Sequence, residues 1–224
     1  MFYILLDILF EENHYARIVS KPIKNDLLNT QGEDLEVVLP SVDCILGDKL
    51  TAFAPHTTGI PLGIGKELEI IKQMYDVAAL IDVFDDFEDV YNSYMAIVET
   101  EINYRGLDIS ANEVLMDTID TAACIAGRGQ IGNEYPMYLA GIKSISTHIY
   151  DERYSAEKAV QSACKTMYLA ACILRKSNFE KVIDCNLYLD CNIGKSNYSK
   201  LSKLRKFNAE AFAYVVKTVE LLGK

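Results

Sequence analysis

The hydrophobic pattern of this chain changes period once, at Pro40, and that switch restricts the fold to a few β-strands followed by a helical body. Upstream of Pro40 the apolar residues come in short β-type runs. Phe2–Phe10 is continuously apolar apart from Asp7, while Tyr15–Ser20 and Leu35–Leu39 are shorter, with polar turns between them. Downstream the spacing is helical throughout. Ser41 can cap a helix from Val42 to about Phe53, which Pro55 ends. The stretch 55–65 (PHTTGIPLGIG) is a loop. Leu68, Ile71, Tyr75, Ala78 and Ala79 then mark a helix reaching about Phe84, and another runs from about Asp86 to Arg105, stopped by Gly106. Ser110 and Glu113 form a capping box for a helix that Gly127 terminates. Further helices are predicted at about 134–150, 156–176 and 208–222, the last capped by Asn208. The expected fold class is α+β, a small mixed sheet followed by a C-terminal helical bundle. A boundary at the 55–65 loop would divide it into an αβ segment, 1–54, and a helical domain, 66–224.

The length of 224 residues suffices to bury roughly 70–75% of the unfolded chain's surface. With half of the residues apolar and 24% charged, intrinsic disorder is excluded. A net charge of −10 argues against non-specific coating of nucleic acid. The charge is segregated, however. Residues 66–120 hold fourteen acids and three bases, whereas the segment from Lys176 onward holds nine bases and five acids. That tail is where a polyanionic partner is expected. Cys44, Cys124, Cys164 and Cys172 lie in apolar or alanine-rich helical segments, as reduced core thiols of a cytoplasmic protein do. No C-x-x-C occurs and the histidines are scattered, so a structural zinc site is not expected. The apolar opening lacks a basic flank and a cleavage site, and no apolar run reaches membrane-spanning length.

A strand as apolar as Phe2–Phe10 belongs inside a sheet, because a long apolar edge invites aggregation. Upstream strands outside this sequence, or a second copy pairing along that edge as a homodimer, are therefore expected.

Few residues stand out chemically. Asp7, within the apolar strand, is either a metal ligand or a carboxylate at an exposed tip or turn. Lys49 follows Asp48 in an otherwise apolar helix; it could hold a phosphate or snorkel to the surface. Lys72 and Asp76 share a helix face at i, i+4, in the weaker orientation for an ion pair, so stabilisation alone explains them poorly. The acids Asp82, Asp85, Asp86, Glu88 and Asp89 lack a calcium-loop spacing and suit a helix start.

Three segments taken in order, ILLDILFEE, VVLPSVDCILGDKLTAFAPHTTGIPLG and EIIKQMYDVAALID, resemble the AbiEii/AbiGii family of nucleotidyltransferase toxins from abortive-infection systems. The match rests on the D-K-L-x-A-F helix, the Thr-Gly-Pro loop and the K-x-x-Y-D helix, and covers residues 2 to about 84. The resemblance implies a polymerase-β-like core that transfers a nucleoside monophosphate from an NTP to an acceptor such as tRNA. It implies Asp7 as the third ligand of a two-Mg²⁺ site, Lys49 and Lys72 on the nucleotide phosphates, Asp48 orienting Lys49 or anchoring its helix, and Asp76 in a motif over the active site. Gln73 stands where a typical member has Asp. The family's Gly-Gly-Ser/Thr turn and D-x-D pair do not occur in the sequence. One carboxylate cannot hold two magnesium ions, so the chain alone is expected to be inactive: a mis-assigned start, one half of a split enzyme, or a decayed remnant. The alternative is a non-catalytic module that binds an antitoxin partner or RNA.

Overall fold

The computed structural model describes residues 8, 10, 12–24, 29, 31–149 and 153–223. Within them the chain is α+β. Two strands, β1 (Ile18–Pro22) and β2 (Glu36–Pro40), precede seven α-helices: α1 (Val42–Ala52), α2 (Glu67–Val83), α3 (Phe87–Arg105), α4 (Ala111–Gly127), α5 (Tyr135–Ile145), α6 (Ala156–Arg175) and α7 (Ala209–Leu222). Two 3-10 segments, Cys185–Tyr188 and Ser199–Lys206, lie between α6 and α7. The expected first strand, including Asp7, lies outside the described residues apart from Ile8 and Phe10.

The helix ends follow their capping residues. The side chain of Ser41 accepts the Cys44 N–H, Asp86 accepts from Glu88, and Asn208 accepts from Ala211. Ser110 and Glu113 form the reciprocal box expected of them. Gly106 leaves α3 in the left-handed region at φ 63°. α5 ends at Ile145, five residues before the predicted stop. Beyond it the Ser146 and Thr147 hydroxyls donate to the carbonyls of Lys143 and Ser144, local bonds that compete with continued helix.

The helices share one core, running from Leu46 and Leu50 of α1 to Val219 and Leu222 of α7. α1 packs mainly on α3 and α2, α2 also on α5 and α6, and α6 lies between α4 and α7. Two of these contacts depend on glycine. A Cβ on Gly47 would stand 2.6 Å from the Val90 carbonyl oxygen, and one on Gly141 would stand 2.2 Å from that of Glu67. The α1–α3 and α2–α5 backbones therefore approach more closely than any side chain permits.

β1 and β2 form an antiparallel ribbon in the register Ile18↔Pro40 to Pro22↔Glu36. Most of it is exposed, including the apolar side chains of Ile18, Val37 and Val38. A two-stranded ribbon is marginal by itself, so its order depends on the attachment of its foot. β1 begins three residues later than the sequence suggests because Tyr15, Ala16 and Arg17 are engaged elsewhere. Tyr15 donates to Asp48 at 2.8 Å, the Ala16 N–H to Ser93 Oγ at 3.1 Å and the Arg17 N–H to Cys44 Sγ at 3.2 Å.

The Arg17 guanidinium completes the attachment. It meets Asp43 at 2.5 Å and Asp89 at 2.7 Å. Asp43 is buried, and its other oxygen accepts the N–H groups of Asp85 (2.9 Å) and Asp86 (3.2 Å) at the start of α3. Burial works against its charge. The two N–H donors and Arg17 outweigh that and hold its pKa below the ordinary carboxylate value. A group shifted this way stabilises the fold above its unfolded pKa, and the contribution is lost as pH falls through the folded value. Asp43→Ala should cost about 2–4 kcal/mol at pH 7, because it strands two buried donors. Urea unfolding at pH 7 and pH 3 checks this; the loss should be smaller at pH 3, where the wild-type contribution has faded.

Candidate functional site

The residues singled out on α1 and α2 come together at the crossing of those helices. Lys49, in the last turn of α1, reaches Asp76 Oδ2 at 3.1 Å and donates to Gln73 Oε1 at 3.3 Å. Gln73 and Asp76 lie one turn apart on α2, so they present one polar face to the lysine. Asp76 thus pairs with Lys49 and not with Lys72, its i, i+4 neighbour. Lys72 is exposed and has no ion-pair partner among the described residues. Gln73, the position at which the resemblance breaks, takes part in the cluster as a neutral acceptor. The Lys49 and Asp76 side chains are 31% and 26% exposed, a setting in which an ion pair adds only about 0.2–1 kcal/mol.

Asp48 faces elsewhere. Adjacent helical residues diverge by about 100°, and Asp48 accepts from Tyr15 on the side of α1 that holds the foot of the ribbon. Asp7, the expected metal ligand, lies outside the described residues. Among the described residues no group of three or more His, Cys, Asp or Glu side chains is placed to hold a metal ion. Asp48 and Asp76, the other two carboxylates expected at the site, are engaged by Tyr15 and Lys49. The donor set on the described residues does not fit a two-Mg²⁺ centre.

A pocket of about 200 Å³ opens beside Lys72 and Asp76. Its walls are apolar, from Leu68 and Tyr75 of α2 and from Ile145 and Ile149 at the end of α5.

No family model, curated protein or solved structure matches the chain.

A second polar cluster is not visible from sequence spacing. His56, in the loop after α1, lies with Nδ1 at 2.7 Å from Asp117 and Nε2 at 3.0 Å from Glu134. Asp117 is almost fully buried and also accepts from the His56 N–H, the Thr57 hydroxyl and the Thr121 hydroxyl. Both ring nitrogens face carboxylates, an arrangement that favours the imidazolium, in which both donate. Its partners are 61 and 78 residues away in sequence. The one hint was the clustering of His56, Thr57 and Thr58 in a loop rich in proline and glycine.

The remaining candidates have structural explanations. Asp86 caps α3, Glu88 and Asp89 lie in its first turn, and Asp82 pairs with Lys165 at 2.7 Å. All six cysteines are free, and Cys44, Cys124, Cys164 and Cys172 are buried. Burial pushes the Cys172 thiol up to about 12, which leaves it unreactive. No described helix is long and apolar enough to cross a membrane.

Burial alone would lower the His56 pKa, but the bonds to Asp117 and Glu134 overcome it and raise the value above 6.5. The stabilisation is complete below the unfolded pKa and disappears as pH rises through the folded one. With the ring 45% exposed, the contribution is at most about 1 kcal/mol after solvent screening. His56→Gln should therefore lower stability at pH 5.5 and converge on wild type by pH 9. Denaturation midpoints at the two pH values test this, and an NMR titration of the imidazole should place its midpoint above 6.5.

Proposed function

We propose that the α1–α2 face is the triphosphate-binding surface of a nucleotidyltransferase-type toxin component, one that serves transfer of NMP from an NTP to an acceptor such as tRNA. The observation that carries this reading is the convergence of Lys49, Gln73 and Asp76, beside an exposed Lys72 with no ion-pair partner among the described residues. Lys49, Lys72 and Asp76 are the positions to which the resemblance assigns nucleotide-binding or active-site roles. An ion pair this exposed contributes little to stability, which leaves phosphate binding as the better reason for two lysines here. In this reading Asp76 and Gln73 hold the Lys49 ammonium in place, and a phosphate oxygen takes its remaining donor capacity. The 224 residues hold no D-x-D pair, so the proposal assigns this chain nucleotide binding, with the paired metal carboxylates supplied from outside it.

A second reading has one observation in its favour, the exposed apolar side chains of the ribbon. In that reading the chain is a non-catalytic module that docks an antitoxin strand along β1 or β2, or binds RNA.

Calorimetric titration with ATP, CTP, GTP and UTP separates the two. Lys49→Met should weaken the best-bound NTP by roughly ten- to a hundredfold, the equivalent of ~1.5–3 kcal/mol for a hydrogen bond to a charged group, and should leave the melting temperature nearly unchanged. Radiolabelled NTP incubated with this chain and bulk tRNA should give no transfer. If no NTP binds while tRNA binds with a steep salt dependence, the second reading replaces the first.

A further inference from the structure

We propose that His56 is a proton-operated latch on the α4–α5 loop: the charged ring ties Glu134 to α4, and the neutral ring keeps Asp117 and releases Glu134. The ring lies between two elements of the fold. Nδ1 faces Asp117, in the middle of α4, at 2.7 Å, and Nε2 faces Glu134, the residue just before α5, at 3.0 Å. Ionised carboxylates only accept hydrogen bonds, so the two contacts need two ring protons. A neutral imidazole carries one proton and serves only one of them.

The surroundings of the two carboxylates decide which contact survives. The Asp117 side chain is 7% exposed, and it also accepts from the His56 N–H at 2.9 Å, the Thr57 hydroxyl at 2.8 Å and the Thr121 hydroxyl at 3.2 Å. Taking the ring proton away from it would leave a buried charge short of a donor. The Glu134 side chain is 33% exposed and has no other partner among the described residues, so water replaces the ring there at little cost. The one proton of the neutral ring therefore stays on Nδ1, and Nε2 sets a lone pair against Glu134, which turns to solvent. The neighbouring groups do not compete. Tyr94 of α3 and Tyr138 of α5 lie close enough to Asp117 to feel its charge, and burial raises both hydroxyls far above the ordinary tyrosine value, so they stay neutral. Burial likewise raises the thiol of Cys124 in α4, and Arg128 is drawn to Glu157 at 3.1 Å.

Glu134 anchors a loop that has little backbone structure of its own. Among the described residues, only one N–H group of the segment 129–134 donates to a main-chain carbonyl, that of Gln130 to Gly127. Side chains hold the rest. Lys200 and Lys203 of the basic tail bond the carbonyl and the side chain of Gln130, and His56 bonds Glu134 at the far end. A loop held this way opens locally when one of its few contacts is withdrawn. Cys124 lies beneath it. A Cβ on Gly132 would stand 3.3 Å from the Cys124 Sγ, and the cysteine is only 5% exposed. Release of Glu134 loosens this cover, so the accessibility of Cys124 reports the state of the latch.

Two measurements on the 224-residue protein test the latch. In ¹⁵N NMR spectra of the His56 ring, raising the pH from 5.5 to 9 should move Nε2 to the shift of an unprotonated ring nitrogen, while Nδ1 keeps that of a protonated one. The second reads the loop through the rate at which methyl methanethiosulfonate modifies Cys124, followed by mass spectrometry of its peptide. Glu134→Gln supplies the comparison, because its amide accepts from the charged ring and donates to the neutral one and so holds the loop at both pH values. The ratio of wild-type to variant rates cancels the ionisation of the thiol. It should be one or below at pH 5.5 and rise by up to about fivefold at pH 9, the worth of one partly exposed contact. Should that variant not fold, His56→Gln replaces it: wild type should then react more slowly than the variant at pH 5.5 and at a matching rate at pH 9. A ring that loses its Nδ1 proton, or that keeps both protons at pH 9, overturns the proposed order of release. A rate ratio that does not change with pH overturns the latch.

Discussion

The buried carboxylate of Asp43 is the constraint on which the first half of the molecule is built. It is the second residue of α1, yet it accepts from the start of α3 and from an arginine just before β1. A charge taken out of water this completely needs several donors, and here they come from two other parts of the chain. Meeting that need brings the ribbon foot, α1 and α3 into one arrangement. Gly47, one turn along α1, lets the α3 backbone come close enough to complete it. With α1 held this way, Asp48 faces the ribbon foot and Lys49 faces α2. The position of Lys49 over Gln73 and Asp76 thus follows from a contact on the other side of its helix.

Sequence reading recovered what is encoded locally. Ser41, Asp86, the Ser110–Glu113 box and Asn208 cap the helices because each cap needs only one side chain and the next turn of backbone. Cys44, Cys124, Cys164 and Cys172 are buried for a similar reason, since a thiol in an apolar or alanine-rich helical stretch is buried with its neighbours. Contacts between distant segments were not legible. Lys72 and Asp76 invited an i, i+4 pairing, but the crossing of α1 over α2 offers Asp76 a better-placed cation in Lys49. His56 looked like one of three scattered histidines until the 55–65 loop was laid against α4 and α5. Spacing rules reach about one helical turn, and both polar clusters of this protein are assembled across tens of residues.

The charge segregation shows the same limit. Nine cations from Lys176 onward suggest a surface for a polyanion, yet five of them donate within the protein. Lys200 and Lys203 reach the main chain and side chain of Gln130, Lys181 the carbonyl of Asp82, Arg205 that of Cys191, and Lys217 the carboxylate of Glu180. Two of these contacts land on the α4–α5 loop and one at the end of α2, so the basic tail folds back on the acidic half of the chain. Helix-end carbonyls and acidic patches are the places where a lysine gains most from the dipole and local field.

That internal pairing changes which cations can be argued for function. A lysine that bonds a carbonyl of its own chain must give up that bond to take a phosphate, and the exchange gains little. Among the described residues Lys72 carries no such bond, and Lys49 is held by a side-chain amide and a carboxylate that together leave its charge only partly exposed. Fixing an ammonium group without burying it removes the entropy that a free lysine loses on binding. On the proposed reading the two lysines are complementary: Lys49 is oriented in advance, and Lys72 follows the ligand. Lys49 and Lys72 are therefore, on that reading, the cations of the α1–α2 face that take a phosphate without first giving up a main-chain carbonyl of the described residues.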